Sequence, residues 1–205
     1  MCSGDEIIVS GERTGVPILF NLDGTLCDFA GGMARFMQPL EGPGESHDYD
    51  NYSQDVEPNY MRARRRMVKQ LPGFWRNLAP YEPGFQLLKL ARDAGLRLVI
   101  FTKGPIGQPR AFMEKVEWCR THIGEDFDIS LVTDKGLHYG KILVDDWPPY
   151  IEKWLAHRPR GRVIMPLHPY NKTFEHPQVV RFRNTKDDRQ SIAVMFEAAA
   201  RGELK

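Results

Sequence analysis

An amide and a carboxylate follow the apolar run at 16–20, which has the pattern of a buried strand. They are Asn21 and Asp23, separated by one leucine and followed by Gly24, which ends the run. In an extended chain, residues two apart point the same way, so both side chains face one side of the strand end. Groups of this kind are suited to proton transfer and to coordination of a cation through oxygen.

Further polar groups occupy comparable places later in the chain. Thr102 and Lys103 end a second apolar run, Lys115 lies in the helical pattern that follows, and Asp145-Asp146 end another run. Ligands of parallel sheets bind at the carboxyl ends of the strands, so we expect these groups to meet at one edge. Together they would bind a divalent cation and a phosphate, and the hard oxygen ligands favour Mg²⁺.

Apolar runs alternate with helical patterns over most of the chain, which indicates an α/β fold with a parallel sheet. The predicted strands are 18–21, 97–102, 129–133, 142–145 and 162–165, and the predicted helices are 84–94, 109–122, 149–156 and 186–201. Two of the runs are apolar throughout, as in strands that are covered on both faces. The segment 175–184 is predicted to be irregular and at the surface.

A long insert without strand-like runs separates the first strand from the rest of the chain. It covers 30–80, with a loop rich in Gly, Pro, Ser, Asp and Tyr at 42–55 and a helical pattern at 60–70. Its position directly after the first strand indicates a small helical cap over the site. We therefore expect a core of 1–29 and 81–205 and a cap of 30–80.

The composition argues against several other classes of function. The chain has 205 residues, which suits one domain, and its net charge of +1 gives no field that would favour nucleic acid or membrane. The first 15 residues lack the apolar segment of a signal peptide, and no apolar run is long enough to span a bilayer. Three cysteines without the spacing of a disulfide framework favour a reducing, cytoplasmic location.

A change of Asn21 to Asp would give Asp-x-Asp-Gly-Thr-Leu-x-Asp, the phosphate-handling signature of the haloacid dehalogenase (HAD) superfamily. The chain resembles that superfamily in four motifs, in order: 21–25, Thr102, Lys115 and Asp145-Asp146. It is most similar to the 5'(3')-deoxyribonucleotidases, through Asp23-Gly24-Thr25-Leu26-Cys27-Asp28-Phe29-Ala30-Gly31-Gly32, through Glu114-Lys115 followed by Trp118 and Gly124, and through Asp145-Asp146-Trp147-Pro148. The resemblance covers 17–171 and implies a three-layer, Rossmann-like parallel sheet.

The resemblance implies that the enzyme hydrolyses nucleoside 5'-monophosphates. Residue 21 would attack phosphorus to form an aspartyl-phosphate, and Asp23 would act first as general acid and then as general base. Thr102 and Lys115 would hold the phosphoryl oxygens and offset charge in the transition state.

The same resemblance implies the metal and substrate contacts. Mg²⁺ would lie between residue 21, the backbone carbonyl of Asp23 and the pair Asp145-Asp146. Gly24 and Thr25, through backbone N–H groups, and Lys103 would add contacts to the substrate. The family is often dimeric, so a homodimer is a further expectation.

The chain departs from the family pattern at two positions. Asn21 carries no charge and is a poor nucleophile, so turnover should fall on the order of 10³-fold or more. We favour an engineered, substrate-trapping substitution in an active enzyme, because every other motif is intact. The alternatives are a natural nucleotide-binding pseudo-phosphatase, or a phosphatase for another small phosphomonoester or a nucleic-acid 3' end. The second departure is Trp147, where the resemblance leads us to expect Arg, at a position that concerns recognition of the leaving group or base.

Aromatic and basic residues of the insert admit two interpretations each. Phe29, Phe74 and Trp75 are candidates for stacking on a base, although Phe74 and Trp75 could equally form the core of the cap. The basic cluster at 62–69 is either a solvated helix face or a surface that attracts an anionic substrate. Lys135 has the pattern of a turn residue and is left out of the predicted site.

Overall fold

The computed structural model describes residues 15–49, 57–104 and 107–204. The strands are β1 (Pro17–Phe20), β2 (Arg97–Lys103), β3 (Asp128–Val132), β4 (Ile142–Val144), β5 (Arg162–Pro166) and β6 (Val179–Phe182). The helices are α1 (Phe29–Met37), α2 (Asn59–Val68), α3 (Glu82–Asp93), α4 (Pro109–Ile123), α5 (Pro148–Ala156) and α6 (Lys186–Ala200). The strands form one parallel sheet in the order β3-β2-β1-β4-β5-β6.

Side chains of the central strand β1 alternate between the two faces of the sheet. Ile18 and Phe20 belong to a core cluster that includes Phe196 and other residues of α3, α4 and α6. Leu19 belongs to a second cluster, which includes Trp154 of α5. Helices therefore cover both faces, and the predicted three-layer α/β fold is confirmed.

The position of β1 between β2 and β4 determines where the site lies. Phe20 is in register with Ile100 on one side and with Val144 on the other. The residues that follow, Asn21 and Asp145, therefore emerge at the same edge. The chain continues from β1 to β2 on one side of β1, and β4 lies on the other side of β1. The carboxyl ends of β1 and β4 therefore form a topological switch point, where sheets of this kind bind ligands.

Helices α1 and α2 of the insert pack against each other, and both contribute residues to a cavity at this edge. The helix predicted at 60–70 is confirmed as α2. Helix α1 was not predicted, because Gly31 and Gly32 weaken the helical pattern. The Asp28 side chain caps it by accepting the Gly31 N–H at 2.9 Å. The division into core and cap stays a prediction.

The prediction that 175–184 is irregular was wrong, because β6 lies within it and pairs in parallel with β5. An edge strand of four residues, of which only Phe182 is buried, leaves a weak sequence pattern. The other predicted strands and helices are present, with ends shifted by one or two residues. In the predicted loop, 42–49 contains no helix or strand, and 50–55 lies outside the described residues.

No helix in the described part of the chain combines the length and the apolar character needed to cross a membrane.

Candidate active site

The chain turns sharply after β1. The carbonyl of Leu22 accepts the N–H groups of Leu26 and Cys27, each at 2.9 Å. Gly24 has a φ of +79°, and a Cβ at this position would lie 2.4 Å from Oδ2 of Asp146. Glycine is therefore required for the loop to pass this close to the acidic pair.

The side-chain amide of Asn21 is buried and has a hydrogen-bond partner at each end. Its Oδ1 accepts from Nζ of Lys135 at 2.7 Å. Its Nδ2 donates to the backbone oxygen of Asp23 at 2.7 Å and to Oδ1 of Asp146 at 3.0 Å. An ammonium only donates, while a carbonyl and a carboxylate only accept, so this set of partners fixes the orientation of the amide.

Lys135 lies at the centre of the site, contrary to our prediction that left it out. Its buried Nζ donates to Oδ1 of Asn21 and to Oδ2 of Asp145, both at 2.7 Å. It is therefore Lys135, and not Lys115, that contacts the residue expected to attack phosphorus. The predicted turn does exist, since the Asp134 side chain accepts the N–H of Gly136 at 2.8 Å. A lysine flanked by turn residues shortly before a buried strand was the local signal, and only long-range packing shows that it points inward.

Lys115 serves the other carboxylate of the site. Its Nζ donates to Oδ2 of Asp23 at 2.5 Å, to Oγ1 of Thr102 at 3.0 Å and to the backbone oxygen of Lys103 at 3.0 Å. It also lies 4.4 Å from the centre of the Trp75 ring. These contacts use all three ammonium hydrogens and hold the Asp23 side chain in place.

Asp146 is held by donors from two separate parts of the chain, the loop after β1 and residues 170–171. Thr25 donates to its Oδ1 at 2.6 Å, and Tyr170 donates to its Oδ2 at 2.6 Å. The side chain of Asn171 donates to its backbone oxygen at 2.8 Å. Burial, followed by the neighbouring Asp146 carboxylate, raises the pKa of Tyr170 above its ordinary range, so the phenol keeps its proton and remains a donor.

Asp145 is fully buried. Its Oδ2 accepts from Lys135, and its Oδ1 accepts the N–H of Trp147 at 3.0 Å. Burial raises the pKa of Asp145 to about 6; the Lys135 charge opposes this increase, and the Asp146 charge adds to it. The Lys135 ammonium stabilises the ionised form of the buried Asp145 carboxylate.

A stack of three rings supports the loop after β1. The His168 ring lies between those of Tyr81 and Tyr170, with both centroid separations 4.9 Å. Its Nε2 is 2.7 Å from the carbonyl oxygen of Gly24, which only accepts, so this nitrogen carries the hydrogen. No sequence pattern indicates a histidine at this place, because only the fold brings position 168 to Gly24.

A cavity of about 590 Å³ opens above these residues. Its lining includes Asn21, Asp23, Gly24, Phe29, Trp75, Lys103, Lys115 and Asp146 from the predicted site, whereas Thr25, Thr102, Phe74 and Asp145 lie behind it. Its cations are Arg62, Arg65, Arg66, Lys69, Lys103 and Lys115. Arg64 instead bonds to Glu45 at 2.8 Å and does not line the cavity. Most of the basic cluster at 62–69 therefore lies at the cavity wall, as expected of a surface that attracts an anionic substrate.

Two of the three candidate stacking residues reach the cavity. The ring of Phe29 stacks on that of Trp75, with centroids 5.7 Å apart and planes 23° apart. Phe74 is buried behind them and meets both rings edge-on. Phe74 therefore supports the two rings that a base could contact.

Glu114, the residue before Lys115, joins the insert to the core. Its buried carboxylate accepts the N–H of Gly73 at 2.7 Å and the N–H of Trp75 at 3.1 Å. A buried carboxylate satisfied by two backbone donors holds this segment firmly. Our sequence analysis did not include Glu114 in the site, although it sets the position of Trp75.

Two oxygens at the sheet edge face the place where a divalent cation is expected. The backbone oxygen of Asp23 and Oδ1 of Asp146 both point at the Asn21 amide, and the two carboxylates of the acidic pair are adjacent. Within the described residues, no group of three or more His, Cys, Asp and Glu side chains has metal-binding geometry. The Asn21 amide places its Nδ2 between these oxygens and turns its Oδ1 to Lys135. With a carboxylate at position 21, the backbone oxygen of Asp23, Asp146 and residue 21 would supply oxygen ligands that suit a hard ion such as Mg²⁺.

Solved structures share this fold. A haloacid dehalogenase-like family hydrolase from Xanthomonas campestris is 15% identical, with a TM-score of 0.51 over 94% of this chain and 100% of that chain. The HAD hydrolase YfnB from Bacillus subtilis, solved bound to magnesium, is 12% identical, with a TM-score of 0.50 over 90% of this chain and 99% of that chain. No curated protein matches the chain in sequence.

One family pattern matches nearly the whole sequence. The family described as "5' nucleotidase, deoxy (Pyrimidine), cytosolic type C protein" matches residues 14–197. The match includes every strand and every site residue described above. The chain therefore belongs to this nucleotidase family of the HAD superfamily of hydrolases.

Proposed function

We propose that this site is built to hydrolyse nucleoside 5'-monophosphates to nucleoside and phosphate with Mg²⁺, and that Asn21 blocks the chemical step in the chain as given. The observation that carries the proposal is the geometry at the edge of β1. Residue 21, Asp23 and Lys115 meet at the floor of a cavity whose wall holds the Phe29–Trp75 stack. The volume of about 590 Å³ suits a mononucleotide.

With aspartate at position 21, the reaction would proceed in two displacements. A carboxylate oxygen of residue 21 forms a bond to phosphorus as the ester P–O bond breaks, and Asp23 gives a proton to the leaving alkoxide. Water then attacks the acyl phosphate, Asp23 takes its proton, and the carboxylate of residue 21 is released with inorganic phosphate. The amide of Asn21 has no charge with which to begin the first displacement.

The two buried lysines divide the electrostatic role between them. Lys135 contacts residue 21, and Lys115 contacts Asp23, so one cation stands beside the attacking group and the other beside the proton donor. Both ammonium groups are buried, and they would stabilise the charge that develops on the transferred phosphoryl group. When bound by the Asp23 carbonyl, Asp146 and residue 21, Mg²⁺ would add further charge neutralisation.

A second candidate function is nucleotide binding without turnover. It is favoured by the hydrogen bonding of Asn21, whose amide satisfies Lys135, Asp23 and Asp146 together. A carboxylate in the same place would face two acceptor oxygens without a hydrogen to offer, unless a cation lay between them. The site is therefore compatible with asparagine as its native residue.

Restoring aspartate separates the two candidates. We would assay phosphate release with Mg²⁺ from a panel of ribo- and deoxyribonucleoside monophosphates, using the N21D variant and the chain as given. Strong release by N21D alone would support the nucleotidase. Tight binding of a nucleotide by the chain as given, with no release by N21D, would support the binding protein. Neither binding nor release would contradict both.

A further inference from the structure

One face of the cap helix presents a row of cations to the cavity. Arg62, Arg65, Arg66 and Lys69 all line it, and their spacing of three and four residues places them on one side of α2 and its C-cap. At 1.5 Å per residue, the row from Arg62 to Lys69 is about 10 Å long. A single phosphate group on residue 21 cannot contact the whole of such a row.

Two cations of this row have no partner among the described residues. Arg65 forms a buried ion pair with Glu57. The side-chain nitrogens of Arg66 and Lys69 have no hydrogen-bond or ion-pair partner within the described residues. Cations that line a cavity without protein partners are available to an anionic ligand.

Lys69 is the C-terminal member of the row, and its backbone is anchored. Its backbone oxygen accepts from Nε1 of Trp75 at 3.1 Å, which ties it to the stacking rings. Burial lowers the pKa of Lys69; Arg65 lowers it further, while the charges of Asp23 and Glu57 oppose the change. A bound anion would offset both the desolvation and the repulsion from Arg65.

We propose that Arg66 and Lys69 form a second anion subsite, and that the substrate is a nucleotide with phosphates on two different hydroxyls, as in a nucleoside 3',5'-bisphosphate. This inference rests on the proposed function and names its substrate class. The phosphate that reacts would lie beside residue 21 and Lys115, and the base beside Phe29, all of which line the cavity. Arg66 and Lys69 then remain for a second phosphate. The cavity is the size of one nucleotide, which separates this ligand from an oligonucleotide.

The test is a set of binding measurements on the chain as given, in which Asn21 prevents turnover. Isothermal titration would compare a nucleoside 3',5'-bisphosphate with the matching 5'-monophosphate and 5'-diphosphate. The variants are Arg66→Gln, Lys69→Gln and the two combined. Arg64→Gln is the matched control, because it removes one charge from the same helix at a residue that does not line the cavity.

We expect the bisphosphate to bind at least about tenfold more tightly than the monophosphate, as one or two charge-assisted hydrogen bonds would give. The double variant should reduce that ratio to about one, and Arg64→Gln should leave it unchanged. Equal binding of the bisphosphate and monophosphate, tighter binding of the 5'-diphosphate, or a ratio that the double variant does not change would each overturn the inference.

The N21D variant distinguishes failure of this inference from failure of the proposed function. Phosphate release from monophosphates, with no preference for the bisphosphate, would overturn the second subsite and leave the nucleotidase standing. Tight bisphosphate binding with no release from any nucleotide would uphold the subsite and overturn the enzyme.

Discussion

The floor of the cavity and its wall on α2 differ in how fully their cations are paired. On the floor, the Lys135 ammonium is paired with Asp145 and Asn21, and the Lys115 ammonium with Asp23. On the α2 wall, Arg66 and Lys69 face the same cavity without protein partners in the described part of the chain. The floor is thus organised before a ligand arrives, whereas the α2 wall has binding capacity that only a ligand can use.

This difference suits groups on the floor that act in the chemical step and groups on α2 that recognise the substrate. Groups that stabilise a transition state are most effective when their positions are fixed in advance. A cation without a protein partner gains charge-assisted hydrogen bonds when an anionic ligand binds. Changes to the floor should therefore affect stability and turnover, and changes to the cap should affect affinity.

The largest effect on stability is expected from Lys135→Met. It leaves the buried Asp145 carboxylate without its cation, which costs about 3–5 kcal/mol in comparable buried pairs. Urea unfolding of the variant and the parent measures the difference. Lys153→Met is the control, since it removes an exposed ion pair with Asp134, the residue beside Lys135. Equal losses in the two variants would contradict the role of Lys135.

The pH dependence of the Lys135→Met variant gives a second check. The folded-state pKa of Asp145 is already raised to about 6, and the loss of Lys135 raises it further. Between the unfolded and folded pKa values, the folded state binds a proton that the unfolded state does not, so stability increases as the pH falls. The variant's loss in free energy of unfolding, relative to the parent, should become smaller as the pH falls from about 7 to about 5. A deficit that is constant with pH would show that Asp145 is not its cause.

A smaller effect is expected from metal ions on the N21D variant. A carboxylate at position 21 faces two acceptors, the Asp23 carbonyl and the Asp146 carboxylate, without a hydrogen to donate. Buried groups without partners cost about 1–3 kcal/mol, and a cation between these oxygens would remove that cost. Thermal unfolding with Mg²⁺ and with a chelator should show a larger difference for N21D than for the chain as given. A larger Mg²⁺ effect on the chain as given would contradict this account of the amide.

The smallest effect is expected on the cap side. Phe29→Leu removes one ring of the stack at the cavity wall, and a base that stacks on an aromatic ring gains about 1–3 kcal/mol. Nucleotide affinity should fall about tenfold. Phe36→Leu is the matched control, because Phe36 lies on the same helix but contacts Phe74 and does not line the cavity. A similar loss of affinity in both variants would mean that the base binds elsewhere.

Much of the floor could be predicted because strand ends carry a local signal. Asn21, Asp23 and Asp145 directly follow or end apolar runs, and parallel strands bring such positions to one edge. Lys135 could not be predicted in this way. Its neighbours form a turn, as expected, and the direction of its side chain depends on packing against residues far away in the sequence.

The insert after β1 and the last strand show the same limit. The pattern at 60–70 predicts a helix, but not which side faces the cavity, because that depends on the contact between α1 and α2. Strand β6 is held by its pairing with β5 and not by a strong pattern of its own. The clamp from Glu114 to the segment at Trp75 is also a contact between distant residues, which no local spacing indicates.

We expect residue 21 to be the point of attack in a site otherwise complete for phosphoryl transfer. The most direct measurement is mass spectrometry of the N21D variant, quenched in acid soon after mixing with a nucleotide that it binds and Mg²⁺. We expect the added mass of one phosphoryl group on residue 21 in N21D, and none in the protein with Asn21. Phosphate release by N21D without phosphorylation of residue 21, or equal release by the two proteins, would contradict it.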